Sequence, residues 1–110
     1  MEKFEVGDVV SVTFPFSNLK GQKLRPALVL AEAEFNNLIL CQITSKPYSS
    51  KIAIYIKPKD FVSGKLPITS YVRPDKLFTA DETIIKSTLG QLTPKTRKTI
   101  LKTIAEIFKV

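Results

Sequence analysis

Proline and glycine set the rhythm of this chain. Pro15, Pro26, Pro47, Pro58, Pro67 and Pro74, together with Gly7, Gly21, Gly64 and Gly90, cut everything before Gln91 into short apolar runs. A helix of ordinary length does not survive such spacing. Proline removes a backbone donor and clashes inside a helix, and the residue before it avoids helical angles. Strands do fit between the breaks. Val9-Val10-Ser11-Val12-Thr13-Phe14 is rich in β-branched residues and ends at Pro15. Arg25-Pro26 opens Ala27-Leu28-Val29-Leu30-Ala31, apolar on both faces. Leu38 to Ser45 and Ile52 to Ile56 follow, then the shorter Ser70-Tyr71-Val72, stopping at Arg73-Pro74, then Leu77-Phe78-Thr79 and Ile84 to Leu89. Ser17 to Leu24 reads as a polar loop, Glu32 to Asn37 as a turn and Asp60 to Pro67 as irregular chain. This pattern predicts an all-β barrel or sandwich before the C-terminus.

After Gly90 the period changes. Thr93-Pro94 is an N-cap followed by proline at the first helical position. Ile100, Leu101, Ile104, Ile107 and Phe108 share one helical face, expected to pack on the β part. Lys95, Lys98, Lys102 and Lys109 make a basic stripe, either a solvated face or a docking face for an acidic partner. The expected architecture is therefore one mainly β domain over residues 1–110 with a C-terminal amphipathic helix. With 44% hydrophobic and 25% charged residues, the chain has a globular composition. A chain of this mass buries roughly 65% of its unfolded surface.

Absences narrow the chemistry. With no histidine, a Ser/His triad and a His/His ribonuclease mechanism are excluded. One cysteine, Cys41, allows neither an internal disulfide nor a thiolate zinc cluster, and it reads as a buried small hydrophobe. The acids are scattered, so neither a metal nor another cofactor is expected. No apolar stretch has transmembrane length. Met1 to Val6 carries acids and no apolar h-region, so no signal peptide is expected. The expected location is the cytoplasm, away from membrane. The net charge is +7 and the pI about 9.6, which points to nucleic acid or an acidic protein as partner.

What remains is arginine, lysine and hydroxyl groups, a set suited to phosphate chemistry. The guanidinium is a permanently charged planar fork that matches phosphate oxygens and stabilises extra charge on them. RNA brings its own nucleophile, the 2′-hydroxyl, which DNA lacks. Arg25 starts one central strand and Thr44 ends the next. A turn centred between Glu34 and Phe35 sets Arg25 across from Thr44; a turn at Asn36-Asn37 sets it across from Tyr48 instead. The residues alone leave both registers open.

Four pieces in order carry a resemblance. They are Gly7-Asp8-Val9-Val10; Lys23-Leu24-Arg25-Pro26-Ala27-Leu28-Val29-Leu30 with Ile43-Thr44-Ser45; Ser70-Tyr71-Val72-Arg73-Pro74-Asp75-Lys76-Leu77-Phe78-Thr79; and Leu89-Gly90-Gln91-Leu92. Together they resemble the MazF/PemK family of toxin endoribonucleases over nearly the whole chain. The resemblance implies a small SH3-like β-barrel, a homodimer, and metal-independent cleavage of single-stranded RNA to a 2′,3′-cyclic phosphate and a 5′-hydroxyl. It implies Arg25 as the catalytic arginine and Thr44 as the hydroxyl that holds the phosphate. It also implies an antitoxin partner with an acidic tail. Asn18, Lys20, Ser45, Lys46 and Lys76 are the expected RNA contacts. The loop Ser17 to Lys23 lacks the acid of better-known members, and Lys76 stands where some carry glutamine. Both changes fall where the family contacts bases, so the cleaved sequence does not carry over. Two rivals remain: a non-enzymatic toxin of the same fold that binds DNA gyrase, and an inactive module that binds RNA or antitoxin.

Overall fold

A computed structural model of the chain describes residues 4–15 and 22–109. Its strands are β1 (Asp8–Pro15), β2 (Gln22–Glu32), β3 (Asn37–Thr44), β4 (Ile54–Ile56), β5 (Phe61–Gly64), β6 (Ser70–Asp81) and β7 (Ile85–Leu92), followed by helix α1 (Pro94–Ile107). They form one antiparallel sheet in the order β4-β6-β3-β2-β1-β7-β5. The sheet curls into a half-barrel.

Strand alternation explains the two cores. Side chains along a strand point to opposite faces. On the face that α1 covers, Val9, Leu28, Cys41, Ile43, Val72 and Leu92 pack with Ile100 and Ile104 of the helix. On the other face their neighbours Val10, Val12, Ala27, Val29, Leu38 and Leu40 pack with Ala80 and Ile85, and Phe4, Phe14 and Phe78 flank them. The run Ala27 to Ala31 is apolar throughout because β2 feeds both cores.

The helix begins as expected. The Thr93 side chain accepts the backbone N–H of Thr96 at 3.1 Å. Its apolar face is buried only in part, however. Ile100 and Ile104 are buried, whereas Leu101, Ile107 and Phe108 stay exposed. A helix resting on a curved sheet covers one ridge, here the 100/104 step. The flanking residues overhang it.

Several boundaries differ from expectation; β4 begins at Ile54 rather than Ile52, and β7 runs on to Leu92 rather than ending at Leu89. β2 begins at Gln22, because it pairs with β1 down to the end of that strand. β6 does not stop at Arg73-Pro74. β3 pairs with Tyr71 and Val72 and then resumes at Leu77, so Arg73 to Lys76 bulge out while the strand runs on. Phe61–Gly64, within a stretch read as irregular, pairs with β7 at the sheet edge. Glycine permits that crossing, since a Cβ on Gly90 would strike the Ser63 carbonyl oxygen. Gly7, at φ 98°, leaves room for the Arg97 side chain, whose Nη1 donates to the Val6 carbonyl at 2.9 Å.

Candidate active site

The β2–β3 ladder decides the register left open by the sequence. Val29 faces Leu40, Leu28 faces Cys41 and Ala27 faces Gln42, which sets Arg25 level with Thr44. The ladder ends at the Ala27–Gln42 pair. Beyond it the two strands keep different company. β2 stays with β1, where Arg25 faces Val12 and Pro26 faces Ser11. β3 stays with β6, where Thr44 faces Tyr71. Pro26 brings no N–H to the ladder at the point where it stops. The sheet is therefore split at this end, with Arg25 on one side of the split and Thr44 on the other.

A cleft of about 340 Å³ occupies the split. Lys23, Arg25, Pro26, Thr44 and Ser45 line it, together with Leu66 to Ile68. The half-buried Arg25 guanidinium makes no ion pair or hydrogen bond among the described residues. The Thr44 hydroxyl accepts the backbone N–H of Lys46 at 3.0 Å. That bond takes one lone pair and leaves the O–H to donate outward. An unpartnered cation and a directed hydroxyl donor thus flank one gap, an arrangement suited to an anionic, oxygen-rich group such as a phosphate.

Alternation places further polar groups on the same face. Gln42 shares the two-residue repeat of Leu38, Leu40 and Thr44. Lys76 follows the same two-residue repeat as Phe78 and Ala80 and is exposed where the bulge begins, next to the Cys41–Leu77 pair. Lys23 faces Phe14 there. Lys76 belongs to this face without lining the cleft. Ser45 lines the cleft but is exposed beyond the end of β3. Lys46 is exposed and its backbone holds Thr44. Asn18 and Lys20 lie outside the described residues. Gln42 and Lys23 escaped the sequence reading, although a glutamine in step with two buried leucines is a detectable signal.

Other candidates resolve into structural roles. Asp75 is bound by Arg73, through Nε to Oδ1 at 3.2 Å and Nη2 to Oδ2 at 3.1 Å. That guanidinium holds the Asp75 carboxyl below the usual carboxylate range. Phe14 packs edge-on against Phe78, ring centres 5.2 Å apart. Cys41 is fully buried, and burial pushes its thiol up to about 12. Among the described residues, no three His, Cys, Asp or Glu converge as a metal cage, and no helix is long and apolar enough to cross a membrane.

The sequence profile of the PemK-like, MazF-like toxins of type II toxin–antitoxin systems matches residues 5–108. This chain belongs to that family. Solved structures with the same fold include an endoribonuclease in complex with its cognate antitoxin from a mycobacterial species, 19% identical over 98% of this chain and 95% of that one, with a TM-score of 0.74. A MazE–MazF crystal structure from Deinococcus radiodurans is 18% identical over 94% of each chain, also at 0.74. The Mycobacterium tuberculosis toxin MazF-mt6 is 16% identical over 90% and 95%, at 0.66. At such identities the likeness is one of fold. The curated proteins contain no match in sequence. In this PemK/MazF-like toxin, the motif residues Arg25, Pro26 and Thr44 are among those that border the split.

Proposed function

We propose that this toxin is an endoribonuclease that cleaves single-stranded RNA at selected sequences, without a metal, in the cytoplasm. The observation that carries the reading is that Arg25, without an ion pair or hydrogen bond among the described residues, lines one cleft with Thr44 at the split between β2 and β3. A scissile phosphate seated there receives charge stabilisation from Arg25 and a hydrogen bond from Thr44. The neighbouring 2′-hydroxyl gives up its proton as its oxygen attacks phosphorus in line, the P–O5′ bond breaks, and the leaving O5′ takes up one proton, so that none is gained or lost overall. A 2′,3′-cyclic phosphate and a 5′-hydroxyl result. Arg25 assists the proton transfers. Lys23, Lys46 and Lys76 draw the polyanion to this end of the sheet, with Ser45, Asn18 and Lys20 as further RNA contacts.

An antitoxin with an acidic segment neutralises the toxin, supported by family membership and the net charge of +7. Two copies form a homodimer, supported by the exposed Leu101, Ile107 and Phe108 overhang on α1. The deciding experiment incubates purified protein with a long RNA in EDTA and maps new 5′ ends. The expected result is discrete cuts bearing 5′-hydroxyls, with the corresponding DNA left intact. Intact RNA together with inhibited gyrase supercoiling would replace this reading with that of a gyrase poison. Intact RNA that is nevertheless bound would make the protein a binding module.

A further inference from the structure

The row of side chains that contains Thr44 continues across the sheet. Thr44 on β3 faces Tyr71 on β6, and Tyr71 faces Tyr55 on β4. Antiparallel partners share a face, so hydroxyl and both phenols stand on one side, about 5 Å apart from strand to strand. The Tyr55 and Tyr71 rings lie 5.4 Å apart at 36°. Tyr55 is 45% exposed, although it is a large ring in a strand. Lys57 Nζ sits 5.8 Å above the Tyr55 ring. Past Tyr55, a groove at the sheet edge collects Lys57, Lys59 and Lys95 against one carboxylate, Asp60. Both Asp60 oxygens are already engaged, by the Lys57 N–H and the Thr96 hydroxyl.

A core role does not account for this pair. The residues that alternate with it, Val72 and Ile54, are the ones packed in the helix-covered core. An exposed ring, Tyr55, backed by the half-buried ring of Tyr71 and set beside lysines, has the elements of a single-strand platform, in which rings stack bases and ammonium groups follow the backbone.

We propose that Tyr71 and Tyr55 form a base-stacking platform for single-stranded RNA, seating the bases next to the scissile phosphate, with Lys57, Lys59 and Lys95 guiding the chain that leaves it. The proposal rests on the endoribonuclease reading for its orientation, and its test separates the two. Binding is measured with a 2′-O-methyl oligonucleotide, which cannot be cleaved, and cleavage with its unmodified counterpart.

Tyr55→Leu should weaken binding of the methylated strand about tenfold. Tyr55→Phe should bind like the wild type, and abasic residues at the stacked positions should erase the difference between wild type and Tyr55→Leu. Tyr55→Leu should also lose most of the advantage that a long substrate holds over a minimal one in kcat/KM. Equal binding by wild type and Tyr55→Leu overturns the platform, whether or not RNA is cut. So does loss of binding in Tyr55→Phe, or no binding by the wild type. Platform-dependent binding without any cleavage leaves the platform standing and removes the endoribonuclease reading.

Discussion

The β2–β3 hairpin has two ends built from the same two strands, and they are opposites. At the turn end the ladder runs on to the Glu32–Leu38 pair, with one register shift between Val29 and Ala31. Val29, Leu38 and Leu40 are buried, and the loop closes through Ala33 N–H to the Asn37 carbonyl at 2.8 Å. At the far end the ladder stops, Pro26 brings no donor, and a cation and a hydroxyl line one cleft. The difference shows that a continuous sheet supplies stability where its partners are satisfied and chemistry where they are not. Apolar alternation holds one end shut, and its replacement by Arg25 and Thr44 opens the other.

Substitutions at the two ends should therefore separate activity from stability. Arg25→Ala should reduce RNA cleavage by about 10²–10³ or more, with the melting temperature nearly unchanged; single-turnover cleavage and thermal melts check both halves. Wild-type rates in that variant would remove Arg25 from the chemistry. Leu40→Ala, at the closed end, should do the reverse and cost about 2–5 kcal/mol in urea unfolding, while molecules still folded keep their rate. Thr44→Val keeps the shape and loses the donor. A drop of about tenfold to a hundredfold in kcat/KM is expected, recovered in part by Thr44→Ser.

The smallest effect belongs to Cys41, which lies mid-hairpin between the two ends. Burial raises its thiol from 9.0 to about 12. A raised folded-state value means that its contribution is complete below pH 9 and is lost as pH climbs toward 12, because only the unfolded chain ionises there. The wild-type urea midpoint should fall more steeply than that of Cys41→Ala over this interval. Parallel curves would show that the thiol does not contribute.

Much of this hairpin was legible in the sequence. Proline and glycine spacing marks its strands, and the register that sets Arg25 level with Thr44 was one of two expected; it arises from a turn centred on Phe35 together with a register shift between Val29 and Ala31, which the sequence does not show. The competing register could be dismissed only once Val29, Leu28 and Ala27 were seen against Leu40, Cys41 and Gln42. The split itself was hidden, because it depends on which outer strand each inner strand follows. Tyr71 and Tyr55 were harder still to place together. They meet through the pairing of β4 with β6, strands separated in the chain by β5, and neither local propensity nor periodicity encodes that pairing. The exposure of Leu101 and Phe108 was likewise invisible, since a helical wheel shows which residues share a side and not how wide the surface beneath them is.

The missing rungs beyond Ala27 and Gln42 have a mechanical meaning. One jaw, with Arg25, pairs with β1; the other, with Thr44, pairs with β6. Among the described residues no ladder rung joins them beyond the Ala27–Gln42 pair. On the proposed reading, the bound phosphodiester is itself the brace that joins the jaws, and amides flanking the gap should exchange more slowly with deuterium once it is in place.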